Sequence, residues 1–545
     1  MGLQMPDNHR WWQTGIVYQV YPRSFQDSNG DGIGDLPGIT NRLDYLQWLG
    51  VDAVWISPIN PSPMADFGYD VSDYTGIEPI FGTLDDFDRL LAEAHTRNLR
   101  VILDWVPNHS SDQHPWFIES RSSRDNPKRD WYYWHDAKPD GSLPNNWQSE
   151  FGGPAWTWDE TTGQFYYHAY LPQQPDLNWR NPAVQAAMLD TLRFWLDRGV
   201  DGFRIDALRQ VMKDPEWRDN PPNPDADPNH DIDTQILPVY SADHLDNDAF
   251  IRMVRAVVNE YPDRLLIGEL YLPYDRLMRY YGDGAGLHMP TNMHLIRTTW
   301  DASHLAALID QYEGALPVDG WPNWVLGNHD RPRIASRIGA AQARVAALLL
   351  LTLRGTPTLY YGDEIGMTDG QIPPERVQDP WGIRSGNPSV GRDPERTPMQ
   401  WDTTANAGFC PPAVEPWLPI PAGAATTNVA TQRDDPTSLL GLYRQLIALR
   451  RNEPALQIGS YRPRGVDGDI LAYEREHNGR RLLVVLNLGT GPSVWSPTDD
   501  PPASHVLLST VRDRTDDLIT GMVELREAEG VIIALGETHT TVSGS

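Results

Sequence analysis

A chain of 545 residues, 40% hydrophobic and 22% charged, is globular in composition and too long for one small domain. Its formal net charge of -29, spread without a long acidic run, argues against nucleic acid, whose binders need basic patches, and fits a neutral or cationic substrate. The single cysteine, Cys410, excludes an intrachain disulfide and a thiolate metal cluster. The opening MGLQMPDNHRWW lacks the apolar centre of a signal peptide, and no run of about 18 apolar residues predicts a membrane span. The sequence therefore predicts a cytoplasmic protein without a membrane partner.

The first predicted strand, 16–22, is β-branched and aromatic. It leads into Asp27-Ser28-Asn29-Gly30-Asp31-Gly32-Ile33-Gly34-Asp35, an oxygen-rich turn that invites comparison with an EF-hand loop. That comparison fails. Gly32 fits the sharp turn, but Gly38 stands where a bidentate Glu is required, and a strand rather than a helix precedes the loop. A structural site for a hard cation inside a larger fold remains the expectation.

Further strands are predicted at 51–58, 101–107, 202–207, 265–270, 324–327 and 358–361, with a sixth strand near 287–295. Between them, segments such as 84–97 and 182–198 carry apolar residues at three- and four-residue spacing, and Asp85-Asp86 suits a helix start. Alternating strands and helices imply a parallel sheet. Eight such units predict a (β/α)8 TIM barrel; a doubly wound sheet is the alternative, but no Gly-rich phosphate turn follows the first strand. The barrel, domain A, is assigned to 1–107 and 179–460. Residues 108–178, rich in Trp, Tyr, Gly, Asn and Pro, are too long for an ordinary loop and are assigned to an inserted B subdomain after strand three. Two long loops, 213–246 and 366–401, interrupt the second part. The first, dense in Pro, Asp and Asn, shows little core potential. From 461 to 545 short alternating strands predict a C-terminal antiparallel β domain.

Chemistry in such barrels sits at the C-terminal strand ends. There the chain reads Asp104-Trp105-Val106-Pro107-Asn108-His109, Gly202-Phe203-Arg204-Ile205-Asp206-Ala207, Gly268-Glu269-Leu270 and Asn328-His329-Asp330. Three carboxylates, Asp206, Glu269 and Asp330, converge on one mouth beside two histidines and an arginine. Glycoside cleavage needs such a set: one ionised carboxylate to attack C1 and one protonated acid for the leaving oxygen. Arg204, two residues before Asp206 on one strand, shares its face and should keep it ionised.

In order and spacing, DWVPNH, GFRIDA, GEL and NHD resemble the four signature regions of glycoside hydrolase family 13, the α-amylase family. Gln174-Pro175-Asp176-Leu177-Asn178 is similar to its fifth region. The opening WW-x4-VYQVYPRSF, the stretch DFGYDVSDY (66–74) and RTPMQW (396–401) are similar to the α-glucosidase, oligo-1,6-glucosidase and trehalose synthase branch. The resemblance covers nearly the whole chain; the C-terminal domain matches only in pattern. It implies a small α-glucoside as substrate, Asp206 as nucleophile, Glu269 as acid/base and Asp330 as the group that binds the sugar's O2 and O3. It further implies that His109 and His329 bond the same ring, that Tyr69 stacks under it, and that Asp66 with Arg392 clamps the terminal glucose. A structural Ca2+ or Mg2+ would be held by Asp27, Asn29, Asp31, the carbonyl of Ile33, and Asp35, with no organic cofactor. Asn108 also matches a ligand of the amylase-type calcium between domains A and B, although the aspartates that usually accompany it are not evident.

The implied activity is a retaining, exo-acting α-glucosidase, with transglucosylation as a side reaction. Ala207, next to the nucleophile, inclines it to α-1,4 bonds; in related enzymes Val at this position accompanies α-1,6 cleavage. Trehalose synthase, oligo-1,6-glucosidase and sucrose isomerase are the rivals on the same site. A sugar-binding relative without activity would be expected to have lost a carboxylate.

Overall fold

The structure, a computed structural model, describes residues 9–225, 235–496 and 504–536. The middle of the 213–246 loop, the 497–503 segment and both chain ends lie outside the described residues.

Strands β1 (Val17–Val20) and β2 (Ala53–Ile56) are buried at every position, as strands covered on both faces must be. They pair in parallel with each other, and β2 with β3 (Arg100–Trp105). The chain then leaves the barrel. Within the insertion, β4 (Trp134–His135), β5 (Trp156–Asp159) and β6 (Gln164–Tyr167) form a three-stranded antiparallel sheet. The barrel resumes with β7 (Gly202–Ile205), β8 (Leu265–Gly268), β9 (Met289–Pro290), β10 (Asn323–Val325) and β11 (Thr356–Tyr360). The order β10-β11-β1-β2-β3-β7-β8-β9 is that of the predicted (β/α)8 barrel.

The sixth barrel strand is much shorter than the predicted 287–295. It has two residues, and a helical turn, His294–Arg297, occupies the rest of that stretch. Pro290 has no N–H to give to a ladder. Closure to β10 is made instead by one side chain: Asn323 accepts from the Asn292 N–H at 2.9 Å and donates to the Pro290 carbonyl at 2.6 Å.

Local chemistry explains the helix starts. Thr83 and Asp86 form a reciprocal capping box before helix Leu84–Thr96, with Asp85 and Asp86 in its first turn. Asn181 caps helix Pro182–Asp197, whose first residue is the proline favoured there.

The C-terminal domain comprises β12 (Ser460–Asp467), β13 (Ile470–His477), β14 (Arg480–Asn487), β15 (Ser493–Trp495), β16 (Ser504–Ser509), β17 (Leu518–Ile519), β18 (Val523–Leu525) and β19 (Gly530–Ala534). Six form one antiparallel sheet in the order β12-β13-β14-β19-β16-β17. Helix Ile334–Thr352 joins it to the barrel. By length and composition this helix could cross a membrane, but Val345–Thr352 are buried and its backbone breaks at Gly339. Thr352 Oγ1 meets the Tyr473 hydroxyl at 2.5 Å, and Arg344 Nε donates to the Thr510 carbonyl at 2.9 Å.

The 213–246 loop has more core potential than its composition suggests. Trp217 inserts among Tyr133, His135 and Trp147 of the insertion, with ring centres 4.9, 4.8 and 4.9 Å away. One aromatic residue thus staples the loop to the B subdomain.

Candidate active site

At the C-terminal ends of the strands lies a cavity of about 320 Å3, within the range of small-molecule sites. Asp66, Tyr69, His109, Asp206, Glu269, His329, Asp330 and Arg392 all line it. Arg204 lies just behind, fully buried.

Arg204 is the hub of one wall. Its Nη1 reaches Asp104 at 2.8 Å and Asp206 at 2.7 Å, and its Nη2 lies 3.1 Å from Glu269. One cation faces three carboxylates, so the cluster favours retaining a proton. Burial and the charge of Glu269 push the Asp206 carboxyl well up, against the pull of Arg204. Burial also pushes Asp104 up, to about 6. A proton on Glu269 would remove its repulsion and leave Arg204 to hold Asp206 ionised. The backbone assists: Ala207 adopts φ 48°, ψ 32°, and its N–H donates to Glu269 Oε2 at 3.0 Å.

On the opposite wall two arginines flank one carboxylate of the pocket, Asp330. Asp330 accepts from Arg396 at 3.0 Å and from Arg392 at 3.3 Å. Burial alone would raise its pKa, but His329 and the arginines around it hold it well below the usual carboxylate range. The arginines carry that effect, because burial keeps His329 itself neutral, its pKa far below the ordinary value. Gln19 Nε2 donates to His329 Nδ1 at 2.8 Å. Nε2 then carries the proton, 2.6 Å from the Tyr69 hydroxyl, which donates to Asp104 at 3.2 Å.

The far end of the cavity is closed. Arg392 Nη2 bonds Asp66 Oδ1 at 2.7 Å, while its Nε is fixed at 2.9 Å by Asp379. Gln174 Nε2 donates to the other Asp66 oxygen at 3.1 Å. His109 is neutral as well: burial and then the charge of Lys213 push it down to about 3. Asn108 Nδ2 lies 3.0 Å from its Nδ1, and its Nε2 lies 3.2 Å from the Tyr69 carbonyl.

A family model described as "Alpha amylase, catalytic domain" matches residues 19–459. The chain belongs to the α-amylase family of glycoside hydrolases. Among curated relatives, a "Probable alpha-glucosidase" of Rhizobium meliloti (strain 1021) is 44% identical over 89% of this chain and 90% of its own length. An "Oligo-1,6-glucosidase" of Halalkalibacterium halodurans is 41% identical over 88% and 90%. The solved structure of an alpha-glucosyl transfer enzyme superposes with a TM-score of 0.92 at 40% identity, covering 97% of this chain and all of its own. The trehalulose synthase MutB from Pseudomonas mesoacidophila MX-45 does so with a TM-score of 0.89 at 36% identity and the same coverage.

In this α-amylase-family chain several site residues give no sign in the sequence of being functional groups. Asp104 and Gln174 lie inside recognised motifs but carry no signal for their partners. Asp379 and Arg396 work through contacts to residues at least 13 positions away. Asn108 holds no inter-domain cation: Lys213, itself buried, brings its ammonium 3.0 Å from Asn108 Oδ1 and 2.5 Å from Asp176. A lysine stands where the resemblance offered calcium.

The 27–35 loop is tightly wound. Asp27 accepts from the N–H groups of Asn29, Gly30 and Gly32 at 3.0, 2.7 and 2.9 Å. Asp31 accepts from Ile33 at 2.9 Å, and Asp35 caps helix Leu36–Asn41. A Cβ on Gly32 would sit 2.2 Å from the Glu415 carbonyl, so only glycine fits. Among the described residues these acids do not form a cluster of three metal-ligating groups.

Proposed function

We propose that the chain is a retaining, exo-acting α-glucosidase that removes the terminal non-reducing glucose of short, maltose-type substrates. The supporting observation is the Arg392–Asp66 bridge, 2.7 Å long, which closes one end of the cavity beside Asp330. A chain end can enter; a chain middle cannot pass through.

In the first step Asp206 attacks C1 and the glycosidic bond breaks. Glu269 gives its proton to the leaving oxygen, producing a glucosyl ester on Asp206. In the second step water attacks C1 and gives a proton to Glu269, and the ester bond breaks to restore the Asp206 carboxylate. Two carboxylates sharing one guanidinium are close neighbours, as a retaining pair must be. Asp330, held ionised by its arginines, binds the ring hydroxyls and stabilises positive charge developing at C1. His109 and His329, both neutral, line the same pocket with Tyr69, and their N–H groups turn from Tyr69 to the sugar when it binds.

Transfer to a second sugar is the other reading, favoured by the close superposition on an alpha-glucosyl transfer enzyme and a trehalulose synthase. Time-resolved proton NMR with maltose separates them. Free α-glucose appearing first supports the hydrolase. Trehalose or longer glucosides outpacing glucose support transfer, and an inert tube overturns the α-1,4 reading of Ala207.

We further infer that the 27–35 loop takes a structural Ca2+ or Mg2+. Its donors are all hard oxygens, from Asp27, Asn29, Asp31, Asp35 and the Ile33 carbonyl, and among the described residues its three carboxylates make no direct ion pair, although the charge of Arg23 is felt by Asp31.

A further inference from the structure

The outer half of the cavity carries charge that glucose removal does not use. Arg204, Arg209, Arg392 and Arg396 each face a carboxylate: Asp206, Glu150, Asp66 and Asp330 respectively. Arg297 and Arg331 also line the cavity, beyond Glu269 and Tyr271. Among the described residues neither guanidinium has an ion pair or a hydrogen bond, and Arg331 Nε is buried without an acceptor. The Arg331 guanidinium lies 5.7 Å from the centre of the Tyr271 ring.

A smaller cavity of about 210 Å3 adjoins this edge. It shares Tyr271 and Arg297 with the main cavity and is otherwise walled by Leu272, Pro273, Met293 and His294. His294 is occupied, its Nε2 2.9 Å from the Leu272 carbonyl, so the wall offers mainly apolar surface. An apolar annex that has Arg297 in its wall and Arg331 against the Tyr271 ring suits, besides a second sugar, a leaving group with an apolar ring and a negative charge.

We propose that the acceptor side takes an aglycone consisting of an apolar ring that bears an anionic group, an aryl carboxylate. The ring packs against Tyr271 and Met293, and the carboxylate is held by Arg297 and Arg331. The inference rests on the α-glucosidase reading and adds a substrate class to it.

The test compares kcat/KM for 4-carboxyphenyl α-D-glucoside with that for its neutral 4-carboxamidophenyl analogue. The measurement is made in the wild type, in Arg297→Gln and in Arg297→Gln/Arg331→Gln. Taking the charged-to-neutral ratio in each protein, and comparing ratios, cancels both intrinsic leaving-group reactivity and any general loss of activity. The ratio is expected to fall about tenfold from wild type to double variant at low salt, with part of the fall already in Arg297→Gln, and to fall less at high salt. An equal ratio in all three proteins overturns the proposal while leaving the α-glucosidase reading intact. Failure to cleave either glucoside, together with inert maltose, overturns both.

Discussion

Arg204 and Asp330 divide the site into two electrostatic halves. On one side a single guanidinium serves three carboxylates, so a proton is retained. On the other, two arginines lie against Asp330 and hold it charged. The carboxylates around Arg204 therefore favour sharing a proton, while Asp330 stays ionised. If Glu269 is the proton donor, its removal matters only where the leaving group needs a proton. Glu269→Gln is expected to lose roughly 10^3-fold or more in kcat on maltose. Formation of the glucosyl enzyme from α-glucosyl fluoride, whose leaving group departs unprotonated, should be much less affected, and added azide should speed the second step. Equal losses on both substrates would remove Glu269 from the acid role. This division was partly legible in the sequence. The acids announce themselves because each ends a strand within a motif. Their counterions do not: Arg396 reaches Asp330 across 66 residues, and only folding brings that contact into being.

At the scale of elements, legibility followed hydrogen-bonding capacity. Strands with full ladders, such as β1 to β3, stand out as β-branched runs. The two-residue β9 is not legible as a run because its closure depends on the side chain of Asn323 rather than on a run of its own residues. The packing of the loop beyond Lys213 escapes its average composition because one tryptophan, Trp217, sets it. Lys213 itself ties the barrel to the B subdomain through Asn108 and Asp176. Lys213→Met would leave Asp176 buried without its cation, a cost of about 3–5 kcal/mol. A lowered thermal midpoint is expected, with a raised KM because His109 and Gln174 flank the same junction. Adding Asp176→Asn should recover much of the midpoint. A double variant no more stable than the single one would show that Lys213 acts by packing alone. The 27–35 loop gives a contrasting expectation. Chelation should lower the midpoint and leave kcat on maltose nearly unchanged, and metal analysis of the untreated protein should find about one Ca2+ or Mg2+ per chain. No bound metal and no shift would leave the hydrogen bonds of Asp27 and Asp35 as the whole of the loop's stability.

The molecule as a whole titrates in two opposed ways. Burial pushes several carboxyls up: Asp70 and Asp104 to about 6, Asp363 to about 7 and Glu395 to about 8. Unfolded, these groups titrate near 4. The folded state therefore binds more protons than the unfolded one from about pH 4 upward, and stability falls as pH rises through the folded values. Buried histidines do the reverse. Burial pushes His109 and His288 down to about 3, and His114 and His168 to about 4. Unfolded histidines protonate near 6.5, so below that value the unfolded state takes up protons that the folded state refuses, and stability falls as pH falls. Above about pH 7 the histidine contribution has vanished and only the acids act. The thermal midpoint should therefore peak near pH 6–7 and decline between pH 7 and 9. Glu395→Gln should flatten the alkaline decline and, because this group loses its contribution all the way from about pH 4 to about 8, steepen the rise on the acid side. A general cause competes with this one: a chain of net charge -29 repels itself more as pH rises. Salt distinguishes the two, because self-repulsion across the surface is screened at 0.5 M while a buried carboxyl is not. An alkaline decline that survives high salt in the wild type and shrinks in Glu395→Gln assigns it to the buried acid. A decline abolished by salt in both proteins assigns it to the surface.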